Sequence, residues 1–212
     1  MVRRVLLVCG ILSSLLYVGA DIVAAMRYEG YSYLSQTVSE LSAIGAPTRS
    51  FLTPVYLVYE VLLIAFGAGV WKTAGSSRAL RVAGGLMIAQ GVVNIAAGPF
   101  SAMHTRETIA AGAGTLSDTL HIVFTGVTVL LILLIVGFGA SAFGKRFRLY
   151  SIVTIAALIV FGGLAGLEGP KVAANLPTPW IGLTERINIY GFMLWVAALA
   201  IGLLRAQSNR AH

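Results

Sequence analysis

Charge is scarce in this chain: Asp, Glu, Lys and Arg make up 11% of its 212 residues, against roughly 25% in soluble domains. That scarcity excludes a disordered chain, which needs low hydrophobicity and dense charge. It also leaves too few charges to cover the surface of a soluble domain this size. A single cysteine, Cys9, excludes an internal disulfide and any cysteine-cluster zinc or iron–sulfur centre. Set beside Leu6, Leu7 and Val8, it reads as a packing residue. Several compact motifs are missing as well: no H-E-x-x-H pair, no P-loop, no dinucleotide glycine pattern and no G-x-S-x-G elbow. No cofactor is therefore expected. The net charge of +7 does not point to nucleic acid, because basic residues must cluster on one folded face for that.

What is present is apolar sequence, 58% of the chain. A bilayer core of ~30 Å needs about 20 mostly apolar helical residues. Six runs qualify, at about 5–26, 51–71, 82–103, 119–143, 149–167 and 187–204. Period-two alternation is absent, so these are helices rather than barrel strands. The expected fold is all-α: one polytopic six-helix membrane domain over residues 1–212. Arg3-Arg4 before an apolar run and the cleavable-looking Val18-Gly19-Ala20 imitate a signal peptide, but the apolar run continues past that point and an uncleaved first span is expected.

Orientation follows from Lys and Arg near the span ends. One side carries Arg3, Arg4, Lys72, Arg78, Arg81, Lys145, Arg146, Arg148, Arg205 and Arg210. The other carries Arg27, Arg49, Arg106, Lys171 and Arg186. Both termini are thus expected in the cytoplasm of a cell whose inner membrane holds the protein. All eight acids lie in the outer loops or within spans. The outer loops are also the long ones, and loops of such length tend to be functional or to hold structure of their own. In the first, 27–50, Leu34, Val38, Leu41 and Ile44 recur at helical spacing, which suggests a short amphipathic helix ended by Gly45 and Pro47.

Three outer loops re-enter the membrane through similar strings: Ser39-Glu40-Leu41-Ser42, Ser117-Asp118-Thr119-Leu120-His121 and Thr184-Glu185-Arg186-Ile187-Asn188. A hydroxyl followed by an acid is helix-start chemistry. It also fits three hairpins that each supply an acid to one site.

Residues three, four and seven apart share a helix face. On that spacing, stripes form from Ser14, Tyr17 and Asp21, from Thr53, Tyr56 and Glu60, and from Gln90, Asn94 and Ser101. Further stripes join Asp118, His121, Thr125 and Thr128, and Glu185, Asn188, Phe192 and Trp195. Together they suggest an acidic, outward-opening pocket with Glu60, Gln90 and Asn94 near its floor. Glu60 can instead bond Gln90 or Asn94 and tie helices together. Span five offers only Gly162, Gly163 and Gly166, which suit close helix packing. The pocket candidates are Asp21, Glu40, Glu60, Gln90, Asn94, His104, Asp118, His121, Glu185 and Asn188. His104, Asp118 and His121, joined by Asp21, form the weak candidate for a metal; His212 is terminal and has no role assigned. Ser39, beside Glu40, has no histidine near it in sequence, so a serine nucleophile is not expected.

The string Tyr33-Leu-Ser-Gln-Thr-Val-Ser-Glu-Leu-Ser-Ala-Ile-Gly-Ala-Pro47, after an acid-bearing first span, resembles a bacterial integral membrane family catalogued as domain of unknown function nine-nine-eight. Ser117-Asp118 with His121, and Glu185-Arg186, are similar to that family's later strings. The resemblance covers nearly the whole chain. It implies a compact bundle of about six helices, with no established activity and no catalytic residues to carry over.

Three functions remain open at this point. The first is binding or transport of a small molecule, ion or lipid headgroup at the outer face. The second is a membrane-embedded lipid hydrolase, with or without a metal, using His104, Asp118 and His121. The third is a non-catalytic accessory or assembly subunit. Besides the bilayer, a homodimer or a membrane partner subunit is a plausible associate.

Overall fold

A computed structural model describes residues 1–209; Arg210 and His212 lie outside them. The helices are α1 (Val2–Arg27), α2 (Val38–Leu41), α3 (Arg49–Thr73), α4 (Arg78–Ala97), α5 (Arg106–Thr108), α6 (Leu116–Gly139), α7 (Lys145–Ala173) and α8 (Ile181–Ser208). Six of them (all but α2 and α5) are long and apolar enough to cross a membrane. No strand forms among the described residues; one isolated bridge pairs Ile44 with His104. The chain is a polytopic all-α membrane bundle. An even number of crossings puts both termini at one end. The connections 28–48, 98–115 and 174–180 meet at the other, called the roof end below; the third is short because α7 and α8 extend into the expected loop.

Several helices extend beyond the apolar runs. The eighth begins at Ile181 and includes Thr184, Glu185 and Arg186, polar residues that hydropathy alone leaves outside a span. Helix α4 stops at Ala97 and passes into a single 3-10 turn, Gly98–Phe100, where Pro99 has no backbone N–H to continue the ladder. In the first long connection the helix is only four residues long. Beyond it, the Ile44 N–H bonds the Met103 carbonyl at 2.7 Å instead of its own helix.

Around the bundle α1 packs on α3 and α8, α3 on α4, α4 on α6, and α7 on α8. The α6–α7 contact that closes the ring is the sparsest of these. With lipid as apolar as the core, close packing rather than water exclusion holds such helices together. Gly67 on α3 and Gly84 on α4 supply it: a Cβ on either would lie 2.7 Å from the other's carbonyl oxygen. The expected glycine seam on α7 does not form, since Gly163 and Gly166 face open space and Gly162 lies against Asn188. The main core gathers Leu63, Phe66, Phe192, Trp195 and Leu199. Trp195 is fully buried and donates its indole N–H to Ser151 Oγ at 2.9 Å, which joins α8 to α7.

Candidate functional site

The roof end is held by two arginine–carboxylate pairs. Asp21, on α1, is wholly buried and faces Arg186, on α8, which is 2% exposed. Arg186 Nε and Nη2 each donate to one Asp21 oxygen at 2.9 Å, the forked geometry that makes such pairs strong. Its remaining N–H groups reach the Tyr33 carbonyl (2.8 Å), the Gln36 carbonyl (3.2 Å) and the Tyr31 hydroxyl (2.7 Å). The guanidinium lies 3.6 Å from the Tyr33 ring centroid, a cation–π contact. Tyr190 and Tyr33 both donate to Asp21 Oδ2, at 2.5 and 3.2 Å. One buried pair therefore fixes the 31–37 segment onto α1 and α8.

The second pair is Arg106 and Glu40. Arg106 Nε and Nη2 donate to the two Glu40 oxygens at 2.6 and 2.8 Å. Arg106 Nη1 also reaches Thr178 Oγ1 at 3.2 Å, so all three roof-end connections converge here. Glu40 closes a capping box with Thr37, whose N–H donates to it at 2.7 Å. Burial alone would raise the Glu40 carboxyl, yet the Arg106 and Thr37 hydrogen bonds outweigh it and hold the group below the ordinary carboxylate value. Across the roof, Glu185 Oε2 accepts the Val38 N–H at 2.5 Å and caps α2 from another helix.

Of the stripe along α6, Asp118, His121 and Thr128 face α4 and the roof, while Thr125 is exposed. Asp118 caps its own helix by accepting the Thr115 N–H at 2.7 Å, and holds His104 through the backbone N–H (2.7 Å) and ring Nδ1 (3.0 Å). His121, one turn further on, turns away from that pair. Its Nδ1 donates to the Ser101 carbonyl at 2.9 Å, which leaves Nε2 to accept the Ser39 hydroxyl at 3.2 Å. Two turns deeper, Thr128 donates to Asn94 Oδ1 at 3.0 Å, and Asn94 Nδ2 donates to Glu60 Oε1 at 2.9 Å. The other Glu60 oxygen, Gln90 Oε1 and the Tyr56 hydroxyl are buried and make no hydrogen bond to the described residues.

A family model described as "Protein of unknown function (DUF998)" matches residues 11–202. The chain belongs to this family. Neither a curated protein nor a solved structure gives a match. In this DUF998 chain the candidate residues fall into separate groups. Asp21, Glu40 and Glu185 hold the roof together; His104, Asp118 and His121 lie at the mouth of α6; Glu60, Gln90 and Asn94 lie deeper, at the α3–α4 contact. Asn188 donates to the Leu158 carbonyl at 3.0 Å and ties α8 to α7. Among the described residues, no three histidine, cysteine or carboxylate side chains converge as a metal-binding set. Asp21 pairs with Arg186 rather than joining His104 and Asp118.

Arg186 and Arg106, loop cations by sequence position, are counter-ions to Asp21 and Glu40, and Ser39 has a histidine partner that its sequence neighbourhood does not show. Their only sequence signals were placement beside an acid, as in Glu185-Arg186, and aromatic residues in the first connection. The three similar strings also diverge. Thr37 and Thr115, not Ser39 and Ser117, cap α2 and α6, while Thr184 lies inside α8 and bonds the Trp180 carbonyl.

Proposed function

We propose that the chain is a multi-pass protein of the bacterial inner membrane, with both termini cytoplasmic, that binds and moves a small cation or a proton at Glu60. The carrying observation is the set of buried acceptors beside α4: Glu60 Oε2 and Gln90 Oε1 have no donor among the described residues. A buried polar group left unpaired costs about 1–3 kcal/mol, and more when charged. An acid inside a membrane is costly in any case and is most often functional. A hard cation, or a proton carried by water, relieves both costs, because oxygen donors suit either. Asn94 and Thr128 keep the other Glu60 oxygen in place.

The other acids of the expected acidic pocket are already bonded within the roof, which favours a small ion over a bulky headgroup. The Asp21–Arg186 pair also supports a second reading, a rigid accessory subunit, which predicts a partner that co-purifies in fixed stoichiometry.

The test uses full-length protein in proteoliposomes, with a proton-sensitive dye in one arm and tracer sodium in the other, under an imposed potassium diffusion potential. Flux in either arm that disappears in Glu60→Gln supports the site and names the ion. Equal rates for wild type, Glu60→Gln and empty vesicles overturn it.

A further inference from the structure

The Ser39–His121 contact lies outside the cation reading and carries a different chemistry. Ser39 stands in the first turn of α2, and His121 is the sixth residue of α6, 82 positions away. The imidazole is oriented from behind: the Ser101 backbone carbonyl accepts the Nδ1–H at 2.9 Å, so Nε2 presents its lone pair to the Ser39 hydroxyl at 3.2 Å. This is the nucleophile–base–orienter order that activates a serine, with a backbone carbonyl as the third member. Asp118, one turn earlier on the same face of α6, makes no hydrogen bond to the ring, since its oxygens are taken by Thr115 and His104.

Depth and access point to the substrate. His121 lies about 7–8 Å along α6 from its first residue, at 1.5 Å per residue. The headgroup layer of one leaflet is about 5–8 Å thick. With the first residue of α6 taken as the outer edge of that layer, the pair lies at its lower edge, where the ester linkages of a glycerolipid lie. The flank is open to lipid: no residue of α6 before Ile135 is buried, and Ile122 and Val123, next to His121, are exposed. Ser39 and His121 are themselves only partly buried.

We propose that Ser39 and His121 form a nucleophile–base pair that cleaves the acyl ester of a glycerolipid in the roof-side leaflet. Ser39 Oγ bonds to the ester carbonyl carbon while its proton passes to His121 Nε2. Collapse of the tetrahedral adduct breaks the bond to the alcohol oxygen, which leaves with the proton from Nε2. Water then attacks the acyl-serine and gives its proton to Nε2. Collapse of that second adduct releases the fatty acid and returns the proton to Ser39. The sum is ester plus water to acid plus alcohol, with no other reactant. The proposal is independent of Glu60.

The experiment uses full-length protein in nanodiscs and a fluorophosphonate probe, with the labelled peptide identified by mass spectrometry. Labelling should map to Ser39 and fall at least about 100-fold in His121→Ala, the lower end of what general-base assistance supplies. Ser39→Ala should lose the label while keeping any cation flux, and Glu60→Gln should keep the label. A purely structural Ser39–His121 contact gives no label on the wild-type protein, and that result overturns the proposal without need of any variant. Equal labelling of wild type and His121→Ala overturns it too. In vesicles, fatty acid release from diacyl phosphatidylcholine but not from its diether analogue supports the lipid substrate. Ser39 labelling without release from the diacyl lipid overturns it.

Discussion

Replacing Asp21 by alanine leaves the Arg186 guanidinium buried with its counter-charge gone. Both Arg186 bonds to the carboxylate disappear, and Tyr190 and Tyr33 lose their acceptor. Breaking a buried ion pair by removing one partner costs about 3–5 kcal/mol. For a chain of this length, ~1 kcal/mol moves the melting temperature by roughly 2–4 °C. Asp21→Ala should therefore melt roughly 6–20 °C below wild type, followed by tryptophan fluorescence in mild detergent. Arg186→Met should also be destabilised. The double variant Asp21→Ala/Arg186→Met should be more stable than the sum of the two single losses implies, because no charge is then left unpaired. A loss under about 1 kcal/mol for Asp21→Ala, or strictly additive losses in the double variant, would refute the stabilising role of the Asp21–Arg186 pair.

Two further outcomes test the roof and the topology. The Glu40 carboxyl is held below its ordinary value of 4.5 in the folded protein, so its contribution is complete above that value and is lost as pH falls through the lowered folded value. Thermal scans should show wild type losing its stability margin over Glu40→Gln only below about pH 4.5, and a margin unchanged down to pH 2 would contradict the Arg106–Glu40 pairing. A green fluorescent reporter fused after the last residue should fluoresce, and alkaline phosphatase fused there should be inactive; the reverse pattern would invert the proposed orientation.

The helices were legible because a bilayer demands length and apolarity, and both are local properties. Stripe positions were legible for a related reason: helical spacing says which residues share a face, and Asp118, His121 and Thr128 do share one that meets α4 and the roof. A tie from Glu60 to the next span was one of two readings open in the sequence, with Gln90 or Asn94 as partner; the fold pairs it with Asn94. Partners were harder. Nothing local distinguishes Arg186 as a buried counter-ion from a loop cation, because its acid lies 165 positions away on α1. Ser39 and His121 illustrate the same limit, since neither neighbourhood contains the other. Hydropathy also placed Glu185 and Arg186 before the last span, whereas α8 tolerates them because each has a partner inside the roof.

The central claim is that the buried Glu60 carboxyl reversibly takes a positive charge. Infrared difference spectroscopy of the carboxyl bands, with protein in nanodiscs moved between cation-free and sodium-loaded buffer and between neutral and acid pH, reads that event directly. A carboxyl band should change with one of these exchanges in wild type and be missing from Glu60→Gln. Identical difference spectra for the two proteins would contradict it.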